Sequence, residues 1–436
     1  MTLAVRNANF GRVLSGIARI AILGTVLAGV AGAGAAAPKL SNAKAVFAAE
    51  QVPIGQQLIA PAPAPDGKTL AYEALKGNSR FLFLYDGESG SVQQVKARKS
   101  LLTQASAYEG ELDWCLATAC AGSFVFVSGS QNNLDIYAGK VGATEAPTPL
   151  TAHKSLDFQP RFDPAANRVA FLSGRDRKSG SDLYLLDLDK LASGVALMRL
   201  TNLPNGVLYP EWSPDGRYIV FSAEGLSAEG GNTPSFDLWL MDLRRLPETL
   251  PAAARSEGNG GEPVIDLSAD LQPARVTSVD ASDELAASFA PDGTALAFYV
   301  SDAADATGTA GRKGQKEQRL ALVELKRGDG SDAAPALGEI RTLVDHVADP
   351  NEDSTLRGPV WLADGSALLV VRDDPETFNP IVLVDRSSGE IVSSLAETHV
   401  NKDLALARHS PSAGIRLFFS AHEGQSTGLY EVRIQP

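Results

Sequence analysis

The chain has 436 residues, of which 44% are hydrophobic and 21% are charged, and its formal net charge is −13. This composition is that of an ordinary globular protein and excludes the biased compositions of disordered and fibrous chains. The acidic balance disfavours nucleic acid and anionic lipid as partners, because both would be repelled.

The first 37 residues have the pattern of an export signal. Arg6, Arg12 and Arg19 precede the apolar stretch IAILGTVLAGVAGAGAAA, which ends in small residues. A retained membrane anchor is the alternative, because the stretch is just long enough to span a bilayer. We expect residues 1–37 to be a cleaved signal peptide, which leaves a periplasmic or secreted protein without stable membrane insertion.

A turn followed by strands organises the centre of the chain, in YPEWSPDGRYIVFSAEG (209–225). In Ser213–Gly216, Pro has φ near −65° and Gly accepts positive φ without cost, which is typical of a type I turn. The β-branched and aromatic run Tyr218–Phe221 follows, and FDLWLMDL from Phe236 alternates in polarity. The stretch predicts a small antiparallel meander.

The same unit recurs along the chain. Its other copies are APAPDGKTLAYE (62–73), LDWCLATACAGSFVFVSG (112–129), FQPRFDPAANRVAFLS (158–173), ASFAPDGTALAFYV (287–300), GPVWLADGSALLVV (358–371) and ARHSPSAGIRLFFS (407–420). A meander of this size cannot bury both faces alone, so the repeats predict an all-β fold closed in a ring. We expect a β-propeller of seven blades, with six as the alternative.

This pattern resembles the TolB-type propeller repeat, and Pro210–Ser222, Asp237–Asp242 and Arg275–Thr277 carry the resemblance most fully. The resemblance covers residues 55–436 and implies a fold rather than a function, because propellers serve as enzymes, binders and scaffolds. TolB proper has an α/β domain before its propeller, which residues 38–57 cannot supply. The resemblance therefore does not imply a place in the Tol-Pal system.

The two ends of the chain are predicted to close the ring. The seventh copy stops at GLYEVRIQP, its third strand, and VFAAEQVPIGQQL (46–58) can supply the missing outermost strand. An unpaired edge gives this closure its stabilising force. We therefore expect residues 38–57 to complete the last blade and residues 58–436 to form the propeller.

The only two cysteines, Cys115 and Cys120, flank the loop that replaces the Pro-Asp-Gly turn in the second copy. An antiparallel reversal brings such positions within bonding reach, and an exported protein meets an oxidising compartment. We expect a disulfide.

Catalytic and metal motifs lack the partners that they need. Gly424–Gly428 matches G-x-S-x-G, but a strand follows it and no His lies beyond His422, so we expect no catalytic nucleophile. The five histidines are dispersed, which predicts no zinc site. The oxygen-rich segment Asp345–Asp353 can hold Ca²⁺ but lacks EF-hand spacing. A solvated acidic loop is the preferred interpretation, so no cofactor is expected.

Strand parity predicts the binding face. The tight Pro-Asp-Gly turns and one large insertion, Leu246–Leu271, lie on one face, and the longer polar loops lie on the other. Candidate binding residues on this loop-rich face are Asp283, Glu284, Asp345, His346, Asp349, Glu352, Asp353 and Arg357. Their acidic excess suits a cationic or polyhydroxyl ligand, a divalent ion or a basic protein patch.

Two functions follow as hypotheses. The first is a monomeric, non-enzymatic binding or scaffold propeller that engages a protein partner or an envelope polysaccharide. The second is an enzyme similar to those polysaccharide lyases that use such propellers with His, Arg and carboxylates at the channel mouth. Asp113, Arg161, Glu211 and Arg408 each precede the aromatic position of a first strand, or its replacement His409, and can converge there. A convergent His–carboxylate group would favour the lyase.

Overall fold

Short β-strands account for nearly all regular structure in the residues that the computed structural model describes. These residues are 38–97, 107–130, 133–165, 167–177, 180–193, 196–225, 235–247, 255–257, 263–277, 282–302, 318–326, 335–349, 357–374, 376–407 and 415–435. Within them the only helices are short 3-10 segments at Ala49–Gln51, Thr118–Cys120, Leu188–Ser193 and Leu243–Arg245. None of these helices has the length and apolar character to cross a membrane. The predicted signal peptide lies outside the described residues.

The strands group into consecutive units, numbered 1 to 7 in chain order. After β1 (Lys39–Leu40) and β2 (Lys44–Phe47), unit 1 has β3 (Gln56–Pro63), β4 (Thr69–Lys76), β5 (Ser79–Asp86) and β6 (Val92–Gln94). Unit 2 has β7 (Ala107–Trp114), β8 (Ser123–Ser130), β9 (Asn133–Lys140) and β10 (Thr148–Pro149). Unit 3 has β11 (Asp157–Phe162), β12 (Arg168–Ser173), β13 (Asp182–Asp187) and β14 (Leu197–Arg199).

The second half of the chain continues this pattern. Unit 4 has β15 (Val207–Trp212), β16 (Tyr218–Gly225) and β17 (Ser235–Asp242), then an insertion with β18 (Arg255–Glu257) and β19 (Pro263–Asp266), then β20 (Ala274–Arg275). Unit 5 has β21 (Ser282–Phe289), β22 (Ala295–Asp302), β23 (Gln318–Lys326) and β24 (Ala336–Asp345). Unit 6 has β25 (Val360–Trp361), β26 (Ala367–Val371), β27 (Ile381–Asp385) and β28 (Ile391–Leu395). Unit 7 has β29 (Lys402–Ala407), β30 (Ile415–Glu423) and β31 (Ser426–Gln435). Successive strands of a unit pair antiparallel, which confirms the all-β prediction.

The predicted turn joins the first and second strands of unit 4. The Gly216 N–H donates to the Ser213 carbonyl oxygen over 2.9 Å, and the Ser213 hydroxyl accepts from the Tyr218 N–H. Gly216 has φ of 68°, which an L side chain rarely adopts. In unit 2 the corresponding loop instead contains the Cys115–Cys120 disulfide, as predicted.

Each pair of neighbouring units shares a hydrophobic cluster. Between units 4 and 5, Val220 packs with Phe298, and both side chains are fully buried. The first and last units of the chain share one too, in which Tyr72 packs with Phe418. Tryptophans add hydrogen bonds between units, because the indole N–H of Trp212 in unit 4 donates to the Arg161 carbonyl oxygen in unit 3 over 3.0 Å.

The first strands carry a recurrent bulge. At the bulge one non-glycine residue has a positive φ, and these residues are Ala60, Glu111, Gln159, Tyr209, Ala286 and Asp403. The N–H of the bulge residue reaches a side chain of the preceding unit, as when Tyr209 donates to Gln159 Oε1 over 2.8 Å. The left-handed conformation is thus held by contacts between units.

The two chain ends meet in unit 7. β1 and β2 both pair antiparallel with β31, in registers that place Lys39 opposite Gln435 and Lys44 opposite Glu431. β1 and β2 lie before most of the segment 46–58, which was expected to supply the outermost strand of the last blade. The end of that segment instead belongs to Gln56–Pro63, the first strand of unit 1.

The sequence suggested that the insertion Leu246–Leu271 forms a loop on one face, but its described part contains two strands that pair with unit 3. Its strand β19 pairs parallel with β14, with Leu197 opposite Val264, and β18 pairs antiparallel with β19. Val264 and Ile265 are buried there. The insertion therefore extends the sheet of unit 3 to six strands and covers its outer edge.

Candidate functional site

Strained backbone is concentrated around unit 6. Outside the first-strand bulges, four described non-glycine residues have a positive φ: His346 (56°), Phe378 (57°), Asn379 (59°) and Val400 (47°). They lie in the three connections before β25, between β26 and β27, and before β29, which share the loop-rich face. For the β-branched Val400 this conformation is a genuine outlier, and such strain tends to cluster at functional sites.

A buried asparagine holds two of these loops together. Asn401 Nδ2 donates to the Asn379 carbonyl oxygen over 2.9 Å, and Asn401 Oδ1 accepts from the Thr398 hydroxyl over 2.6 Å. The Val400 N–H in turn donates to the Phe378 carbonyl oxygen over 3.0 Å. The network leaves Phe378 53% and Val400 37% exposed. Two apolar side chains are therefore presented to solvent by a fixed backbone.

A cleft of about 60 Å³ opens beside these loops. Its lining comes from units 5, 6 and 7 and consists of Tyr299, Ala348, Asp349, Gly358, Val360, Leu369, Val371, Asn379, Val400, Asn401, Lys402 and Leu404. Apolar side chains supply much of this wall. The polar groups come from the connections on either side of unit 6.

The cleft lies where the first strand of unit 6 is interrupted. In unit 5 only Ala286 and Ala287 separate the paired residues Leu285 and Ser288. In unit 6, the Ala348 N–H donates to the Val371 carbonyl oxygen, and the next described pair along this strand is Val360 with Leu369.

Gly358 marks the point where the strand of unit 6 resumes. A Cβ there would clash with the carbonyl oxygen of Ala286 in unit 5, so the close approach of these two backbones requires glycine.

The surroundings of the cleft are acidic. The described residues of 345–359, 372–380 and 396–402 include six carboxylates and three cationic side chains: Asp345, Asp349, Asp373, Asp374, Glu376 and Glu397, with Arg357, Arg372 and Lys402. Hydrogen bonds from Thr377 and from the Glu376 N–H lower the pKa of Asp374, which keeps this carboxylate ionised. The described residues around unit 6 therefore carry more carboxylates than cationic side chains.

The predicted loop-face residues other than Arg357 divide into three groups. Asp349 lines the cleft, and Asp345 and His346 precede it in the chain. Glu352 and Asp353 lie outside the described residues. Asp283 and Glu284 were expected in a loop but belong to strand β21.

Glu284 is fully buried and accepts a hydrogen bond from the Thr277 hydroxyl over 3.1 Å. Asp283 accepts from the Phe236 N–H over 3.0 Å. These contacts join units 4 and 5 and leave little of either carboxylate for a ligand.

Three of the channel-mouth candidates come together with Arg357. Asp113 and Glu211 occupy equivalent register positions two residues after the bulge, as does Arg161. Arg357 of unit 6 forms an ion pair with Asp113 of unit 2, and Arg161 pairs with Glu211 over 3.5 Å. Burial, and then the nearby charge of Arg357, lower the pKa of Arg161.

The fourth candidate does not share this position. Arg408 lies outside the described residues, and the register of β29 with β30 gives the equivalent position to Ala405. In the pairs Arg357–Asp113 and Arg161–Glu211, each charged side chain has an opposite charge beside it. No histidine of the described chain belongs to this group.

A buried polar cluster between units 1 and 3 was not predicted. Glu73 pairs with Arg80 over 2.8 Å and accepts from the Glu111 N–H over 2.7 Å. Glu111 accepts from the Tyr108 hydroxyl and from the Gln159 N–H, each over 2.6 Å. Burial raises the pKa of Glu73 to about 7. The only sequence signal was a charged residue within the apolar strand TLAYEALK, and the cluster links the second strand of unit 1 to the first strands of units 2 and 3.

Comparison with known proteins supports the fold. No family model matches the chain. An uncharacterized peptidase, YuxL of Bacillus subtilis, is 33% identical over 89 residues, which are 20% of this chain and 12% of that protein. The match thus spans far less than two thirds of that relative's length.

Solved structures resemble far more of the chain. An oligogalacturonate lyase in complex with manganese has a TM-score of 0.53 and 11% identity, covering 92% of this chain and 99% of its own. A puromycin hydrolase has a TM-score of 0.52 and 17% identity, and the match covers 87% of this chain and 53% of the hydrolase. A putative TolB from Agrobacterium tumefaciens has a TM-score of 0.40 and 18% identity, and the match covers 66% of this chain and 81% of that structure. The likeness to the lyase and the hydrolase concerns the fold alone.

Proposed function

We propose that the chain is an exported, monomeric binding protein in which units 1 to 7 form the blades of a seven-bladed propeller. Closure of the ring is supported by the cluster shared by the first and last units and by the pairing of β1 and β2 with β31. Export is supported by the arginines and apolar stretch of residues 1–37 and by the Cys115–Cys120 disulfide. The propeller engages a protein partner through the loop-rich face at unit 6.

One observation carries this proposal: among the described non-glycine residues, those with positive φ outside the first-strand bulges surround unit 6, and they include the exposed Phe378 and Val400. Strain costs free energy, so its concentration on one face suggests a role there. An exposed aromatic side chain on a fixed backbone also suits an interface anchor, because less ordering entropy is lost on binding.

The channel-mouth group supports binding over the lyase alternative. Its arginines and carboxylates already neutralise one another in the pairs Arg357–Asp113 and Arg161–Glu211. A proton-abstracting site would need a base free to face a substrate. These charges instead suit a structural role between first strands.

Site-specific photo-crosslinking tests the proposed face. A photoreactive phenylalanine analogue replaces Phe378 in one protein and Leu116 in another, because these side chains are 53% and 50% exposed on opposite faces. Each protein is irradiated in the cell that exports it. We expect a discrete protein adduct from position 378 and none from position 116. An adduct from position 116 alone, or from neither position, would contradict the proposal.

A further inference from the structure

We infer that the cleft at unit 6 recognises an extended protein segment in which an aliphatic side chain stands next to a basic one. This inference rests on the proposed binding function and specifies the chemistry of the partner. Three properties of the cleft lead to it: its apolar wall, its acidic surroundings and its fixed backbone.

The wall suits one aliphatic side chain. Val360 and Leu369 of unit 6 and Leu404 of unit 7 line it together with the ring of Tyr299. The opening is bounded by strands and connections of three units, and an extended segment can place one side chain in it. Removal of that side chain from water supplies the nonpolar part of the recognition.

The charges select the residue beside that side chain. Asp349 lines the cleft, and Asp373 and Glu376 are exposed on the neighbouring connection. With six carboxylates and three cationic side chains among the described residues there, the surroundings attract a lysine or arginine and repel an acidic segment. The exposed ring of Phe378 adds an aromatic face on which a guanidinium can stack.

The backbone of the site is set before binding. Asn401 is buried and ties the connection of Asn379 to that of Thr398, so the positions of Phe378 and Val400 do not depend on the partner. Such preorganisation lowers the entropic cost of binding and permits recognition through a small contact area.

The test uses a displayed library of random dodecapeptides, selected against the full-length secreted protein. Binding of enriched peptides is then compared between the wild type and Val360→Trp, in which the indole fills the cleft. A second variant, Phe378→Ser, removes only an exposed ring, and Leu116→Ser on the opposite face is the matched control. Thermal melts establish that each variant is folded.

We expect the enriched peptides to place Lys or Arg next to Leu, Ile or Val. Their affinity should fall about tenfold or more in Val360→Trp and in Phe378→Ser, as for truncated interface anchors, and stay unchanged in Leu116→Ser. Their affinity should also weaken as salt is added, because the carboxylates are solvent-accessible. If Val360→Trp does not fold, the comparison of peptide affinity between the wild type and Phe378→Ser tests the inference by itself.

Enrichment of acidic peptides, of uncharged apolar peptides or of none overturns the inference, as does equal binding to the wild type and Phe378→Ser. These failures are distinct from failure of the proposed function. A partner cross-linked at position 378 together with an acidic consensus would retain a binding face and reject this partner chemistry. A basic–aliphatic consensus without any cross-link in cells would retain the cleft and reject the proposed function.

Discussion

Replacement of Glu284 by Gln should change how the stability of the protein depends on pH. Glu284 is fully buried between units 4 and 5, beside Asp237, which pairs with Arg275 over 2.8 Å. Burial above all, and the neighbouring Asp237, raise the pKa of Glu284 to about 9. The folded protein therefore holds a protonated carboxyl group there at neutral pH, and the amide of Gln has the same shape and similar hydrogen-bonding groups.

The sign follows from proton binding in the two states. Unfolded glutamate ionises near its ordinary pKa of about 4.3, so between that value and about 9 only the folded state holds this proton. The free energy of unfolding contributed by Glu284 therefore falls as pH rises, by about 1.4 kcal/mol per pH unit. From about pH 5.5 to about pH 7.5 this amounts to roughly 3 kcal/mol, which Glu284→Gln should remove.

The assay is urea unfolding followed by tryptophan fluorescence at both pH values. Glu73 and Glu109, whose pKa values burial raises to about 7, impose the same trend on both proteins, so they cancel in the difference. Glu390→Gln, at an exposed position, controls for the loss of one surface carboxylate. Relative to the wild type, Glu284→Gln should gain stability on going to the higher pH. Parallel pH curves would show that Glu284 is ionised in the folded protein and would refute the reasoning.

Three further predictions concern the edges and the cross-link of the fold. Deletion of residues 39–47 should lower the melting temperature of the whole protein, because β31 loses its edge partners, whereas an unchanged melt would mean that this pairing adds little. Replacement of residues 246–271 by a short Gly-Ser linker should also destabilise the protein and speed its proteolysis, because it uncovers β14; wild-type proteolysis rates would argue against an edge-covering role. Cys115→Ala with Cys120→Ala should cost about 2 kcal/mol, as expected for closure of a short loop. Mass spectrometry of the unreduced wild type should find no free thiol, and two free thiols would contradict the disulfide.

The repeating units could be predicted because their signal is local. Ser213–Gly216 encodes its turn within a few residues, and the alternation of the following strands sets which side chains are buried. The role of the insertion could not be predicted in this way. Its strand Pro263–Asp266 pairs with Leu197–Arg199, far away in the chain, and neither segment specifies the other.

The candidate site could be predicted only in part. The polarity of Asp345–Asp349 indicated a segment that borders the cleft, but the other walls come from units 6 and 7, which no local pattern brings next to it. Phe378 and Val400 were missed because a single apolar residue within a polar connection has no periodicity. Glu284 was placed in a loop because its burial depends on Thr277 and Asp237, and no sequence pattern brings those residues together.

The pairing of β1 and β2 with β31 has a consequence for biosynthesis. Lys39 is among the first residues of this fold to be made, and its partner Gln435 is among the last. β1 and β2 must therefore wait without this partner until β31 has been synthesised. A polypeptide that terminates before β31 would keep β1 and β2 open to proteases and chaperones, so this contact distinguishes copies that contain β31 from copies that lack it.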